Sequence, residues 1–195
     1  AKHRQRKMGV SQSVTCVDKS NVTRGCQLFR KIFREFAERN QDIMVKEAYI
    51  DAFTMWLVRN PEDLDVVVLP NMFGDIATDL ASVLQGGMGM SASANMGPKH
   101  MLFEPVHGSS PKHAGKNVVN PIAMIQSVQM MFEALAFRKK DQNLDTCSEI
   151  LQNAIQKHFE EGGIVTYDLG GTASTSEVGQ AIALRCESML KERFP

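Results

Sequence analysis

Short apolar runs and stretches of helical periodicity alternate along the first part of the chain. Residues 14–17 form an apolar run that predicts a buried strand, and residues 45–50 predict a second one. Residues 24–39 carry apolar side chains at helical spacing and charged side chains on the opposite face, which predicts an amphipathic surface helix. A short helix is predicted over residues 51–59, and the apolar run within residues 65–69 is typical of a strand buried on both faces. This alternation favours an α/β fold.

After residue 70 the pattern contains more helices and loops. A helix is predicted over residues 76–84, and the glycines of residues 85–98 predict an irregular stretch with short strands. Residues 103–120 predict a long polar loop. Pro121 opens a helix, to about residue 137, that is apolar nearly all round and is therefore expected to be largely buried. Amphipathic helices are predicted over residues 146–159 and 176–192, with a turn-rich connection over residues 162–171.

The composition is that of an ordinary globular protein and narrows the function classes. The 195 residues contain 22 basic and 22 acidic side chains, so the formal net charge is zero. This balance argues against nucleic-acid partners and against attraction to anionic membranes. No apolar run approaches the roughly 20 residues that cross a bilayer, and the basic residues 1–7 are not followed by the apolar segment of a secretory signal.

The cysteines indicate the redox environment. Cys16, Cys26, Cys147 and Cys186 form no Cys-x-x-Cys pair, and no nearby histidines complete a zinc-binding spacing. Buried free thiols in a reducing compartment such as the cytoplasm are favoured over disulfides.

The sharpest chemical signal follows the strand predicted at residues 65–69. Asp75 and Asp79 stand four residues apart at the start of a helix, so both carboxylates project from one helical face. Like charges at this spacing repel each other, and a divalent cation between them would reverse the sign of the interaction. Carboxylate oxygens suit Mg²⁺ or Mn²⁺. The alternative is that Asp75 caps the helix and Asp79 faces solvent.

Two other segments carry candidate chemistry. Lys19 and Asn21 lie just past the first predicted strand, where ligands bind in α/β proteins; Lys19 is either a general base or a solvated loop lysine. Residues 103–117 combine Gly and Ser, which let backbone amides approach a phosphate, with His107, Lys112 and His113, which add donors and charge. The alternative is an ordinary long loop. Neither a Gly-x-Gly-x-x-Gly motif nor a P-loop is present.

Taken together, these segments resemble the β-decarboxylating dehydrogenases, the family of isopropylmalate, isocitrate, homoisocitrate and tartrate/D-malate dehydrogenases. The motifs occur in family order and spacing, a combination far more specific than any one of them. The resemblance implies an isocitrate/isopropylmalate dehydrogenase-like two-domain α/β sandwich with a mixed sheet and a non-Rossmann cofactor site. The matching motifs are Asp-Lys-Ser-Asn-Val (18–22), Asn-Met-Phe-Gly-Asp-Ile (71–76) with Asp79, Glu-Pro-Val-His-Gly-Ser (104–109), Gly-Lys-Asn (115–117), Asn-Pro (120–121) and Asp-Leu-Gly-Gly (168–171).

The resemblance also implies roles for individual residues. Lys19 resembles the catalytic lysine that helps to remove the substrate hydroxyl proton in the active site of the partner subunit. Asp51 resembles the aspartate, catalytic and metal-binding, that reaches the metal across the dimer interface. Asp75 and Asp79 resemble the metal-binding aspartates of the home subunit. The cofactor-binding residues of the family are matched by Asn21, near the nicotinamide, and by His107, Gly108, Ser109 and Asn120, in the adenosine-binding loop.

The implied reaction is oxidative decarboxylation of a 2-hydroxy acid bearing a 3-carboxylate, with Mg²⁺ or Mn²⁺ bound and hydride passed to NAD or NADP. Lys112 and His113 resemble the Lys-Tyr pair of NADP-using members more than the Asp of NAD-using ones. Tyr167 resembles a phosphate-contacting tyrosine of those enzymes, although Gly171 stands where an arginine is expected. NADP use or dual specificity is therefore the hypothesis.

The substrate is less sharply indicated than the reaction. Residues 18–19 and 71–76 resemble the isopropylmalate branch, whereas residues 85–89 and 94–97 are nearer to isocitrate or tartrate members. A 3-isopropylmalate dehydrogenase is favoured. The alternatives are an isocitrate, homoisocitrate or tartrate/D-malate dehydrogenase, or a non-catalytic regulatory subunit of the family.

The resemblance also changes the interpretation of the length, because the chain matches about the second half of a family subunit. With the composition shift near residues 85–89 as a boundary, residues 1–85 are expected to be the later part of the small dimer-forming domain, with the metal site. Residues 86–195 are expected to be the returning part of the large domain, with the cofactor loop. We expect a homodimer with shared active sites, and we expect the 195-residue segment alone to be inactive.

Overall fold

The structure, a computed structural model, describes residues 1–2 and 13–193. Residues 3–7 of the basic opening segment therefore lie outside the described part of the chain. The chain divides into two compact units, Ala1–Leu84 and Gln85–Pro195, each with its own hydrophobic core. The assignment of these units to the small and large domains of the family stays a prediction.

The first unit is built on three parallel strands. The central strand β1 (Ser13–Asp18) pairs along its whole length with β2 (Met44–Tyr49), and the shorter β3 (Val66–Val68) pairs with its other side. Because β1 has a neighbour on both sides, it is the most deeply buried strand, and Val17 is fully inaccessible. The prediction that the third strand is buried on both faces is wrong, because β3 lies at the edge of the described sheet and is only half-buried.

Helices provide the crossovers that parallel strands require. Helix α1 (Arg24–Glu38) connects β1 to β2, and α2 (Ile50–Arg59) connects β2 to β3. Helix α3 (Asn71–Leu84) begins directly after β3, earlier than the predicted start at residue 76, because Gly74 weakens the helical pattern there without breaking the helix. The buried core of this unit consists of Val17, Ala48, Phe53, Leu57 and Ala77.

The second unit contains an antiparallel strand pair, β4 (Ala92–Met96) and β5 (Met101–Pro105). The prediction of a loop from residue 103 onward is wrong at its start, because β5 continues to Pro105. The side chains of β5 alternate, with Phe103 half-buried and Glu104 exposed, as in a strand that has one face covered. Parallel and antiparallel pairing thus both occur, and the predicted α/β class is confirmed.

Three long helices complete the described part of this unit: α4 (Ile122–Lys139), α5 (Gln142–Glu160) and α6 (Thr175–Arg193). Helix α5 packs against both α4 and α6. The prediction that residues 122–137 are largely buried is wrong, because only Ile122, Ala123, Ser127 and Ala136 are buried, and Met124 and Phe137 are 54% and 66% exposed. None of the described helices is both long and apolar enough to cross a membrane.

Candidate functional site

Lys19 and Asp51 meet at the carboxyl edge of the parallel sheet. The register between β1 and β2 places Asp18 opposite Tyr49, so the residues that follow each strand emerge side by side. Lys19 Nζ donates a hydrogen bond to Asp51 Oδ1 over 2.6 Å, and Asp51 lies in the first turn of α2. This hydrogen bond holds the pKa of the Asp51 carboxyl below its usual value. Two residues predicted to be catalytic from distant parts of the sequence are thus in direct contact.

Asp18, the residue before Lys19, forms a buried ion pair that the sequence pattern did not reveal. The fully buried Asp18 carboxylate accepts hydrogen bonds from Arg30 Nε and Arg30 Nη2, each over 2.8 Å, and from the Ser20 backbone N–H over 2.7 Å. Burial raises the pKa of Asp18, but the hydrogen bonds from Arg30 and Ser20 outweigh it, so the pKa lies below its usual value. The only sequence signal is a carboxylate at the end of an apolar run.

Arg30 extends this clamp to the neighbouring strand. Its guanidinium donates to the Ala48 carbonyl over 3.0 Å and lies 4.9 Å from the centre of the Tyr49 ring. Glu47, on the same strand, accepts two hydrogen bonds of 2.6 Å from Arg34. These contacts hold the carboxyl ends of β1 and β2 together. They therefore fix the position of the backbone from which the Lys19 side chain extends.

Asp75 and Asp79 are both exposed on α3. The Asn71 side-chain amide donates long hydrogen bonds of 3.5 Å to both carboxylate oxygens of Asp75. In the described part of the chain, no group of three or more His, Cys, Asp or Glu side chains is arranged to hold a metal ion. The metal-binding role of Asp75 and Asp79 stays a prediction.

A cleft of about 620 Å³ opens in the second unit, within the size range of small-molecule sites. It lies between the loop that follows β5 and the connection from α5 to α6. Lys112 stands exposed on the 3₁₀ turn Pro111–His113 and is not part of the lining, and Asn21 belongs to the first unit. The predicted cofactor-binding residues that line the cleft are His107, Gly108, Ser109, His113, Asn120 and Tyr167.

His113 is held between two other residues of the cleft. Ser110 Oγ lies 2.7 Å from His113 Nδ1, and the Tyr167 hydroxyl lies 3.4 Å from His113 Nε2. The rings of His113 and Tyr167 stack at 6.1 Å between centroids. Ser110 adopts φ of 45°, a left-handed conformation that turns the loop into the 3₁₀ turn. Residues 54 positions apart in sequence thus form one wall.

Hydrogen bonds join Asn117, another residue of the cleft lining, to the start of α6. The Asn117 side chain donates to Ser176 Oγ over 2.8 Å and accepts from the Ser176 backbone N–H over 3.1 Å. Ser174 and Glu177 form reciprocal side-chain-to-backbone hydrogen bonds, which is the capping-box arrangement. Residues that line the cleft but were given no role from sequence include Gly89, Asn117, Asp168 and Thr175; Asn117 and Asp168 lie inside matching motifs.

The Asn120 side chain is fully used by contacts within the protein. Its Oδ1 accepts a hydrogen bond of 2.9 Å from the Ile122 N–H at the start of α4, and its Nδ2 donates to Asp168 Oδ2 over 3.1 Å. Asn120 itself is 7% exposed. Its Nδ2 also lies 3.6 Å from Met90 Sδ. The side-chain amide of the residue predicted to contact adenosine is therefore engaged by the protein itself.

Several known proteins of similar sequence are named as dehydrogenases. The family model described as isocitrate/isopropylmalate dehydrogenase matches residues 3–182. The chain is 41% identical to the 3-isopropylmalate/3-methylmalate dehydrogenase of Methanocaldococcus jannaschii, over 93% of this chain and 52% of that protein. It is 39% identical to the homoisocitrate dehydrogenase of the same organism, over 92% of this chain and 50% of that protein.

Solved structures show the same fold. The crystal structure of isocitrate dehydrogenase from Methylococcus capsulatus matches with a TM-score of 0.84 and 36% identity, over 95% of this chain and 53% of that chain. The chain spans about half the length of the curated relatives it matches. The family resemblance inferred from the motifs is thereby confirmed. Because the family model covers most of its residues and the fold agrees, the chain belongs to the isocitrate/isopropylmalate dehydrogenase family.

Proposed function

We propose that the protein is a metal-dependent β-decarboxylating dehydrogenase that oxidises a 2-hydroxy acid bearing a 3-carboxylate and passes hydride to NAD(P). The observation that carries this proposal is the contact between Lys19 Nζ and Asp51 Oδ1, which joins the family's catalytic lysine and aspartate motifs in one place. The relatives named 3-isopropylmalate dehydrogenase favour 3-isopropylmalate as the substrate. Four free cysteines agree with a cytoplasmic location.

Lys19 is the group that we propose to take the hydroxyl proton. In the ion pair, its ammonium protons point to Asp51, so it accepts a proton only after it has separated from that carboxylate and become neutral. Asp51 is 67% exposed and is free to turn outward. Within a homodimer, we propose that both residues serve the active site of the partner subunit.

Asp75 and Asp79 are the residues that we propose to hold Mg²⁺ or Mn²⁺. Their exposed carboxylates on one face of α3 are hard oxygen donors, which fit these ions. Asp51, contributed across the dimer interface, would be the further ligand that the described residues of one chain lack. The bound ion would polarise the substrate hydroxyl and its carboxylate.

NADP is the cofactor that we favour. Lys112 and His113 carry the positive charge and donors that suit a 2′-phosphate, and Tyr167 stacks on His113. Gly171 cannot be replaced by the arginine expected there, because an added Cβ would collide with the backbone of Val165. The test compares kcat/KM with NADP and NAD in a subunit of full family length that contains this chain, and a preference for NAD of about a hundredfold would contradict the hypothesis.

A matched pair of variants sharpens this test. Lys112→Ala is expected to raise the KM for NADP and leave the KM for NAD unchanged. Lys191→Ala removes an exposed lysine near the end of α6, whereas the cleft-lining Thr175 lies at its start, and is expected to change neither.

Binding measurements with a panel of substrates distinguish 3-isopropylmalate dehydrogenase from the other members of the family. The names of similar proteins keep homoisocitrate and isocitrate in consideration. We expect Mn²⁺-dependent binding of 3-isopropylmalate in preference to isocitrate, homoisocitrate, tartrate and D-malate. Failure to bind Mn²⁺ with any of these acids would favour a regulatory subunit, although Lys19, Asp51, Asp75 and Asp79 all argue for the catalytic one.

A further inference from the structure

Asp168 is a carboxylate at the cleft that makes two hydrogen bonds with the protein. Its Oδ1 accepts from the buried Thr166 hydroxyl over 2.5 Å, and its Oδ2 accepts from Asn120 Nδ2 over 3.1 Å. The first bond orients the carboxylate within its own 3₁₀ turn, Tyr167–Leu169. The second bond crosses to a segment 48 residues earlier in sequence. Asp168 therefore joins the two segments that form the walls of the cleft.

The Asn120 side chain transmits this contact to a helix. Its amide nitrogen is held by Asp168, and its amide oxygen accepts from the Ile122 N–H in the first turn of α4. The oxygen and the nitrogen of an asparagine amide are bonded to one planar carbon, so a bond that holds one of them also orients the other. Asp168 thereby helps to hold the Asn120 side chain against the start of α4, at the lining of the cleft.

Gly89 leaves space for the hydrogen bond between Asp168 and Asn120. A Cβ added at Gly89 would lie 2.7 Å from Asp168 Oδ2 and 2.9 Å from Asn120 Cβ. Gly89 does not have a positive φ, so backbone strain is not the reason for a glycine at this position. The close approach to Asp168 and Asn120 is the reason, and three separate segments thus converge on one hydrogen bond.

We infer that Asp168 is a positioning residue of the nucleotide cleft, which acts by holding the Asn120 amide rather than by contacting the nucleotide. This inference rests on the proposed dehydrogenase function. It assigns a specific task to a residue whose sequence motif alone indicates none.

The test exchanges the two side chains. Asp168→Ala removes the acceptor of both hydrogen bonds, and Asn120→Asp places two carboxylates against each other. The double variant Asp168→Asn with Asn120→Asp restores the bond between the two side chains with reversed polarity, because the new amide at position 168 donates to the new carboxylate at position 120, which still accepts from Ile122. Only the 3.6 Å contact of Asn120 Nδ2 with Met90 Sδ is not restored. Gly89→Ala disturbs the same bond without removing a polar group. Glu187→Gln, on the exposed face of α6, is the control for lost charge.

Two readouts are measured on the purified chain: the dissociation constants of NADP and NAD by calorimetry, and the hydrogen-exchange rate of the Ile122 amide by NMR. Each single cleft variant is expected to weaken nucleotide binding about tenfold, and to accelerate Ile122 exchange. The double variant is expected to return to within about twofold of the wild type in both readouts. Glu187→Gln is expected to change neither.

A double variant that binds nucleotide no better than the weaker single variant would show that Asp168 touches the nucleotide itself, which overturns the inference. Unchanged Ile122 exchange in Asp168→Ala also overturns it. If the wild-type chain binds neither nucleotide, the proposed function fails on that ground alone. The exchange rates then still decide the inference, since loss in the single variants and recovery in the double variant would establish the Asp168–Asn120 link.

Discussion

At the scale of single residues, two ion pairs at the end of β1 have the same chemistry and different consequences. Asp18 and Arg30 are paired away from water, and they clamp two strands. Lys19 and Asp51 are paired at the surface, where water screens the attraction and the pair separates easily. Burial therefore distinguishes the structural pair from the pair that we propose to be reactive, although the four residues lie close together in the fold.

We expect Asp18→Asn to lower the free energy of unfolding at neutral pH by about 3 kcal/mol, because Arg30 loses its fully buried carboxylate partner and keeps only the longer ion pair of 3.5 Å with Glu47. Glu161→Gln removes the carboxylate from an exposed pair with Arg185 and is expected to cost less than about 1 kcal/mol. Urea titrations of both variants measure the difference. Equal losses would show that the buried pair contributes no more than a surface pair.

The same pair predicts a dependence on pH. The pKa of Asp18 is lower in the folded chain than its unfolded value of about 3.9, so its stabilisation is fully present above that value. It is lost as the pH falls through the lower folded pKa. We therefore expect the difference in unfolding free energy between wild type and Asp18→Asn to be constant near neutral pH and to shrink in acid. A gap that widens in acid would contradict the assigned sign.

At the scale of elements, sequence periodicity locates helices and strands better than it locates their ends or their burial. The helix after β3 begins at Asn71 despite Gly74, and β5 continues into a stretch with the composition of a loop. The apolar pattern of α4 overstates its burial, because periodicity shows which faces are apolar but not which neighbours cover them. The connection between α5 and α6 is rich in glycine, and its backbone packs too closely at Gly163 and Gly171 to leave room for a Cβ.

Two glycines of this region are expected to respond in opposite directions to the same substitution. Gly171→Ala would drive a methyl group into the Val165 backbone, and we expect a loss of roughly 1–3 kcal/mol. Gly179 lies inside α6 with open space around it, so Gly179→Ala is expected to stabilise the chain by roughly 0.5–1 kcal/mol. Thermal unfolding of the two variants tests this, and a shift of the same sign in both would refute it.

At the scale of the whole molecule, the first unit covers only part of its apolar surface. Leu28 and Phe36 on α1 are 59% and 60% exposed, and Val83 on α3 is 68% exposed. Large exposed apolar patches are uncommon on monomeric proteins and mark contact surfaces. This exposure supports the proposed homodimer.

Sedimentation equilibrium tests the proposed association. We expect a concentration-dependent mass above the 21.7 kDa of one chain, because burial of these side chains on association releases them from water. A constant monomer mass across micromolar concentrations would contradict the proposal. Increasing salt is expected to have little effect, because the exposed groups at issue are apolar rather than charged.

The sequence by itself determined the α/β class, the family and the residues that carry its motifs, because periodicity and motif spacing are local properties of the chain. Only the tertiary structure decided that Lys19 contacts Asp51, that Arg30 forms an ion pair with the buried Asp18, and that Asp168 accepts a hydrogen bond from Asn120. These contacts join residues that are 12 to 48 positions apart. They depend on strand register and helix packing, which no local pattern specifies, and they separate the side chains that remain available for chemistry from those committed to the fold.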